Sequence, residues 1–225
     1  GVALLTMILN CIALWKQEPR NPDRTAHDAP RPAFREAWRE LVANRGIPRF
    51  LLAVGLGTAA FSMQDILLEP YGGEVLGLSV GATTVLTALL AGGALVAFGV
   101  AARLLSRGVD DHRLAATGLL VGIVAFTAVI LAAPLGSDLL FRIGTALIGF
   151  GGGLFAVSTL TAAMGMTGRG SGLVLGAWSA VQATAAGVGI GLGGVLRDFV
   201  DGLAVQGQLG PALTGPATAY GFVYH

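Results

Sequence analysis

Gln64, Asp65 and Glu69 stand where polar groups are least expected in this chain. They lie near the far end of Phe50–Gly73 (FLLAVGLGTAAFSMQDILLEPYGG), which reads as one apolar helix to Glu69, stopped at Pro70. Twenty residues at a rise of about 1.5 Å span about 30 Å, the thickness of a hydrocarbon core. Asp65 and Glu69 are four apart, so the pattern predicts both carboxylates on one helix face. Charges at membrane depth are costly and face a bundle interior or a watery cavity. Three kinds of work are open to the cluster: pairing or helix-end capping, with Arg142 as the cation; direct contact to a bound molecule; or proton-linked gating. Pro70-Tyr71-Gly72-Gly73 then predicts a turn, with the two glycines free to take positive φ.

An enclosing bundle is what the remaining sequence supplies. Of 225 residues, 54% are hydrophobic and 12% charged, about half the charge of an ordinary soluble domain. That balance, with 35 glycines, predicts an all-α, polytopic membrane bundle. The net charge of +1 gives no reason to expect nucleic acid. One cysteine, Cys11, excludes an internal disulfide and a cysteine-based zinc site, and the scattered histidines suggest no metal. No catalytic constellation appears: no Ser/His/Asp order and no phosphate loop.

The expected organisation has three parts. Residues 1–15 read as the end of a transmembrane helix, too short to span. Residues 16–49 form a cytoplasmic loop, Pro-rich first and then an amphipathic helix with Phe34, Trp38, Leu41 and Val42 on its apolar face. Residues 50–225 hold five full spans, at Phe50–Glu69, Val80–Leu104, Leu114–Ala133, Leu139–Thr161 and Leu173–Leu196, and the start of a sixth. Both terminal helices read as truncated. Lys16, Arg20, Arg24, Arg31, Arg35, Arg39, Arg45 and Arg49 precede the first span, and Arg103, Arg107, Arg113 and Arg169 fall on the same side, which marks it as cytoplasmic. Only Arg142 and Arg197 fall on the other.

Glycines inside the spans (Gly55, Gly57, Gly92, Gly93, Gly99, Gly149, Gly151, Gly152, Gly153, Gly187, Gly189, Gly191, Gly193 and Gly194) predict close helix packing. Gly189-x-Gly191-x-x-Gly194 matches a dinucleotide fingerprint only in form, because no strand precedes it. Residues 91–108 and 185–202 form a faint repeat of opposite topology. Arg103, Arg107, Asp110 and Arg113 are expected to clamp the cytoplasmic turn. Trp178 and Gln182 share a face of the last full span and are candidates to line a cavity, with plain packing as the alternative.

The long basic loop and the turn RLLSRGVDDHR (103–113) resemble the major facilitator superfamily. That resemblance implies a major-facilitator-type C-terminal six-helix half. More narrowly, FSMQDILLEPYGGEVLGLSVGATTVLTAL (61–89), GGVLRDFV (193–200) and AYGFVYH (219–225) resemble the PucC/LhaA, or bacteriochlorophyll delivery, family. The resemblance implies a multi-pass protein of the bacterial inner, intracytoplasmic photosynthetic membrane that helps assemble light-harvesting antenna complexes. Its implied partners are the lipid bilayer, antenna polypeptides, and bacteriochlorophyll or its synthesis machinery; bacteriochlorophyll is the one cofactor implied, held transiently. Such a pigment needs an apolar slot and one axial donor to magnesium, a hard cation that favours oxygen and also accepts a His nitrogen. Gln64, Asp65, Glu69, Tyr71, Trp178, Gln182 and His225 are then the candidate contacts. A proton-coupled secondary transporter of a small molecule is the competing expectation.

Overall fold

The computed structural model describes residues 2–14, 33–44, 46–166, 171–206, 220, 223 and 224. They fall in two units, Gly1–Ala37 and Trp38–His225. The first unit holds α1 (Val2–Leu14), an apolar helix whose Leu4, Leu5, Met7, Ile8, Leu9 and Ile12 are all exposed. Helix α2 (Phe34–Ala43) is amphipathic, as the spacing predicts, with Leu41 buried and Phe34, Trp38 and Val42 exposed.

The second unit is a bundle of α3 (Gly46–Ser62), α4 (Leu68–Glu74), α5 (Val80–Ser106), α6 (Asp111–Ala132), α7 (Asp138–Gly165) and α8 (Ser171–Val205). Among the described residues there is no strand, and four helices, α5 to α8, are long and apolar enough to cross a membrane. The chain is a polytopic helical membrane bundle. The last span runs nine residues beyond the expected Leu196, continuing through Arg197 and Asp198.

Local chemistry sets the helix ends. Ser79, Asp110 and Ser137 cap α5, α6 and α7, each accepting from the backbone N–H three residues on. After α5 the chain turns at Gly108 with φ +81°, where Val109 N–H donates to Leu104 O and Gly108 N–H to Leu105 O. Gly136, φ +55°, ends α6 the same way; only a residue without Cβ takes these conformations cheaply. The 103–113 turn is thus closed by Gly108 and by the Asp110 cap, whose Oδ1 accepts from Arg113 N–H at 2.8 Å. Arg103, Arg107 and Arg113 are exposed and form no ion pair among the described residues, contrary to the expected clamp. Asp110→Ala should cost about 1 kcal/mol of stability, read as a lower thermal midpoint in detergent, whereas Arg107→Ala should leave that midpoint unmoved.

The core is built on α7, which packs along both α5 and α6, while α3 lies against α8. The expected glycine packing is seen at some positions and not at others. A β-carbon on Gly149 would strike Leu90 O of α5, and one on Gly93 would strike Ala146 O of α7. At Gly151 it would sit 2.8 Å from Gly118 O of α6, and at Gly189 2.6 Å from Ala59 O of α3. Gly92, Gly99, Gly187 and Gly191, expected to pack in the same way, meet nothing within 4 Å.

One expected element is corrected. The helix predicted over Phe50–Glu69 breaks after Ser62, passes through a turn at Met63–Leu67 and restarts as α4. Pro70 does not end a helix: it sits in the first turn of α4, where its missing N–H is not needed. Gly72 and Gly73 are helical, without positive φ, and Gly72 lies where Phe141, Leu78 and Leu86 leave little room for a side chain. The broken segment still crosses the bundle. Phe50 meets His112, at the start of α6, edge to face with ring centroids 6.0 Å apart, and Glu74 pairs at 3.2 Å with Arg197 near the end of α8.

Candidate functional site

The turn at Met63–Leu67 carries Gln64 and Asp65 and opens a cleft within the bundle. Asp65 N–H bonds Ser62 O and Leu67 N–H bonds Gln64 O, each spanning three residues instead of four, so the α-helical ladder is interrupted here. Gln64 is 2% exposed. Its Nε2 donates to Asp65 Oδ1 at 2.8 Å and to Phe61 O at 3.4 Å, serving a carbonyl near the end of α3. That amide orientation follows from its partners, since turning it over would set two acceptors against each other. Gln64 Oε1 is left buried with no partner.

The cleft has a volume of about 220 Å³. Thr58, Phe61, Ser62, Gln64 and Asp65 line it from α3 and the turn, Leu90 and Ala94 from α5, and Gln182 from α8. Gly149, Gly152 and Gly153 of α7 form part of its wall. The walls are mostly apolar, with polar groups concentrated at the broken end of α3. Thr58 Oγ1, like Gln64 Oε1, is buried without a hydrogen-bond partner. Among the described residues no group of three or more His, Cys, Asp or Glu could hold a metal ion.

The candidate residues separate. Asp65 is exposed on the cleft and has no ion-pair partner among the described residues. The Asp65–Arg142 pair weighed from sequence is therefore not formed, and Arg142 Nε is buried without a partner. Glu69 is not on a shared helix face with Asp65, since the turn intervenes; its Oε1 accepts from Thr87 Oγ1 of α5 at 2.6 Å. Tyr71, 2% exposed, packs in an aromatic cluster with Phe141, Tyr220 and Tyr224. Trp178 is buried in another cluster, its Nε1–H donating to Thr159 Oγ1 at 3.3 Å, so only Gln182 of that pair reaches the cleft. His225 lies outside the described residues.

Two features escaped the sequence reading. Thr58 and Ser62 belong to the cleft; their spacing of four, with Asp65 three further on, is a signal that was present. At one end of the bundle, Tyr220 O–H donates to Glu74 Oε2 at 2.6 Å, and Arg197 bonds both Glu74 and Tyr220 while lying 5.2 Å from the Tyr220 ring centroid. These partners are 23 to 146 residues apart, and no local pattern announces them.

Comparison with known proteins bears on the whole chain. The PUCC protein family matches over residues 1–225. The chain belongs to that family. It is 54% identical over 226 residues to an "Uncharacterized protein in puhA-bchM intergenic region" of Rhodobacter capsulatus, covering 100% of this chain and 47% of the relative. It is 50% identical over 204 residues to "Protein PucC" of Rhodovulum sulfidophilum, covering 89% and 45%. It is 31% identical over 245 residues to the "Bacteriochlorophyll synthase 44.5 kDa chain" of Rhodobacter capsulatus, covering 99% and 51%. This PUCC-family chain thus spans about half the length of the curated relatives it matches. No solved structure matches it.

Proposed function

We propose that this protein is a membrane assembly factor for light-harvesting antenna complexes, and that it holds bacteriochlorophyll for transfer to antenna polypeptides. One observation carries the pigment part: an apolar cleft inside a membrane bundle, bearing a single unpaired carboxylate and buried oxygens without partners. A metal already chelated by a macrocycle asks for one hard donor and an apolar wall, which is what the cleft offers; a free divalent cation asks for several oxygens. At about 220 Å³ the cleft falls below the ~300–1,000 Å³ of complete ligand pockets, so it takes only part of so large a molecule. The names of the relatives, PucC and a chain of a bacteriochlorophyll synthase, support the same reading.

On this reading the protein works in the intracytoplasmic photosynthetic membrane, beside antenna polypeptides and the pigment-synthesis machinery, and holds and hands over pigment without catalysing a reaction. In a phototroph carrying Asp65→Ala in the full-length protein, antenna absorbance should fall several-fold while the factor itself still inserts and accumulates. Unchanged antenna in that strain would remove Asp65 from the site.

The interrupted α3–α4 crossing favours a second reading, a proton-coupled secondary transporter, since broken helices beside an acidic cleft also serve alternating access. Proton-driven uptake of a small solute into vesicles, without any pigment bound by the purified protein, would select it over the first.

A further inference from the structure

We propose, resting on the pigment reading above, that Asp65 is the oxygen donor to the magnesium of the bound pigment and that Gln64 positions it. Of the acidic and amide groups near the broken helix, only Asp65 combines the required properties. It faces the cleft, it is exposed there, and no cation among the described residues neutralises it. Glu69 is not a cleft residue and is already engaged by Thr87. Gln182 lines the cleft but carries no charge.

Gln64 gives the carboxylate a fixed orientation. Its amide is almost wholly buried, and its Nε2 joins Asp65 Oδ1 to the carbonyl of Phe61. No described donor bonds the second carboxylate oxygen. This is the arrangement in which an outer residue holds a ligating one: the donor atom is aimed from behind by a hydrogen bond to its partner atom. The burial of Gln64 with Oε1 unpaired is hard to account for by packing alone, because an apolar residue of that size would leave no polar atom unpaired. It is accounted for if the Nε2–H bond to Asp65 is the function of the residue. Magnesium in a chlorin has its four ring nitrogens and takes a hard axial donor, so one well-aimed carboxylate oxygen suffices.

The test uses the full-length protein in detergent and two probes of nearly the same shape, bacteriochlorophyll a and its magnesium-free counterpart, bacteriopheophytin a. Affinities are read by fluorescence quenching for the wild type and for Asp65→Ala, Asp65→Asn and Gln64→Leu, after each variant is shown to keep its thermal midpoint. The wild type should prefer the magnesium pigment about tenfold, and Asp65→Ala should bring that ratio close to one; Gln64→Leu, which loosens the donor, should lower it in between. Asp65→Asn keeps the side-chain shape and should also lower the ratio. A purely structural role would weaken both pigments alike and leave the ratio where it was. If the wild type binds neither pigment, the pigment reading itself fails. If it binds both but shows no preference, or keeps its preference in Asp65→Ala, pigment binding stands and Asp65 is not the donor. A ratio unmoved by Gln64→Leu overturns the positioning role alone.

Discussion

Replacing Gly149 with alanine should be among the most costly single-methyl changes in the bundle, while the same replacement at Gly92 should be close to neutral. The difference lies in what the new carbon meets. At Gly149 it lands on the carbonyl of Leu90, a backbone group that cannot turn aside, and at Gly92 it meets nothing within 4 Å. Helices in lipid are held by dispersion at close range and not by hydrophobic transfer, so separating the backbones of α5 and α7 loses the contact that joins them. Overpacking of a well-filled interior costs about 1–3 kcal/mol, and Gly149 stands at the upper end because relief requires a whole helix to move. The neighbouring close contacts at Gly93 and Gly153 would be opened by the same displacement. Thermal unfolding in detergent, followed by loss of the monodisperse peak on size exclusion, reads the outcome. Equal midpoints for Gly149→Ala and Gly92→Ala would show that α5 and α7 do not cross as described.

The cleft shares this dependence. Gly149 and Gly153 face α5, and both also belong to the cleft wall together with Leu90 and Ala94. Close packing and the cleft wall are therefore neighbours on one helix. A substitution that pries α5 from α7 should deform the cleft as well.

The four long spans were legible because each is a run of more than twenty residues rich in apolar types, bounded by a polar cap or turn. The amphipathic helix at Phe34–Ala43 was legible from the spacing of its apolar residues. The break at Met63–Leu67 was not. Its residues are mostly apolar, nothing in FSMQDILL is a strong helix breaker, and the eye is drawn to Pro70, which a helix accepts in its first turn. What distinguishes the turn is the Gln64 amide bonding a carbonyl of α3 and a neighbouring carboxylate, a choice made by tertiary surroundings. The same limit applies to Trp178 and Gln182. A spacing of four puts two residues on one face, but that face is broad enough for one to enter a buried cluster and the other a cleft. Arg197 read as a loop charge just beyond Leu196; its partners Glu74 and Tyr220 come from segments distant in sequence.

Tyr71 carries the second large expected effect, and it concerns what holds the broken helix in place. Helix α4 has only seven residues and cannot be stable on its own. Its fixed point is the Tyr71 ring, which lies 5.4 Å from Phe141 of α7, 5.3 Å from Tyr220 and 5.6 Å from Tyr224, centroid to centroid. The hydroxyl adds one long bond, 3.4 Å, to Val129 O of α6. Tyr71→Ala would leave a cavity where these elements meet, at a cost of about 3 kcal/mol, the lower end for a large aromatic because the transfer contribution is small in lipid. Tyr71→Phe keeps the ring and loses only the long bond, so it should stay within about 1 kcal/mol of the parent. The pair also separates packing from pigment contact at this residue. If Tyr71 acts by packing, only the alanine variant lowers the thermal midpoint, and pigment affinity measured below that midpoint is unchanged in the phenylalanine variant. Should Tyr71→Phe weaken pigment binding at full stability, the hydroxyl touches the bound molecule and the cleft extends beyond the walls described for it.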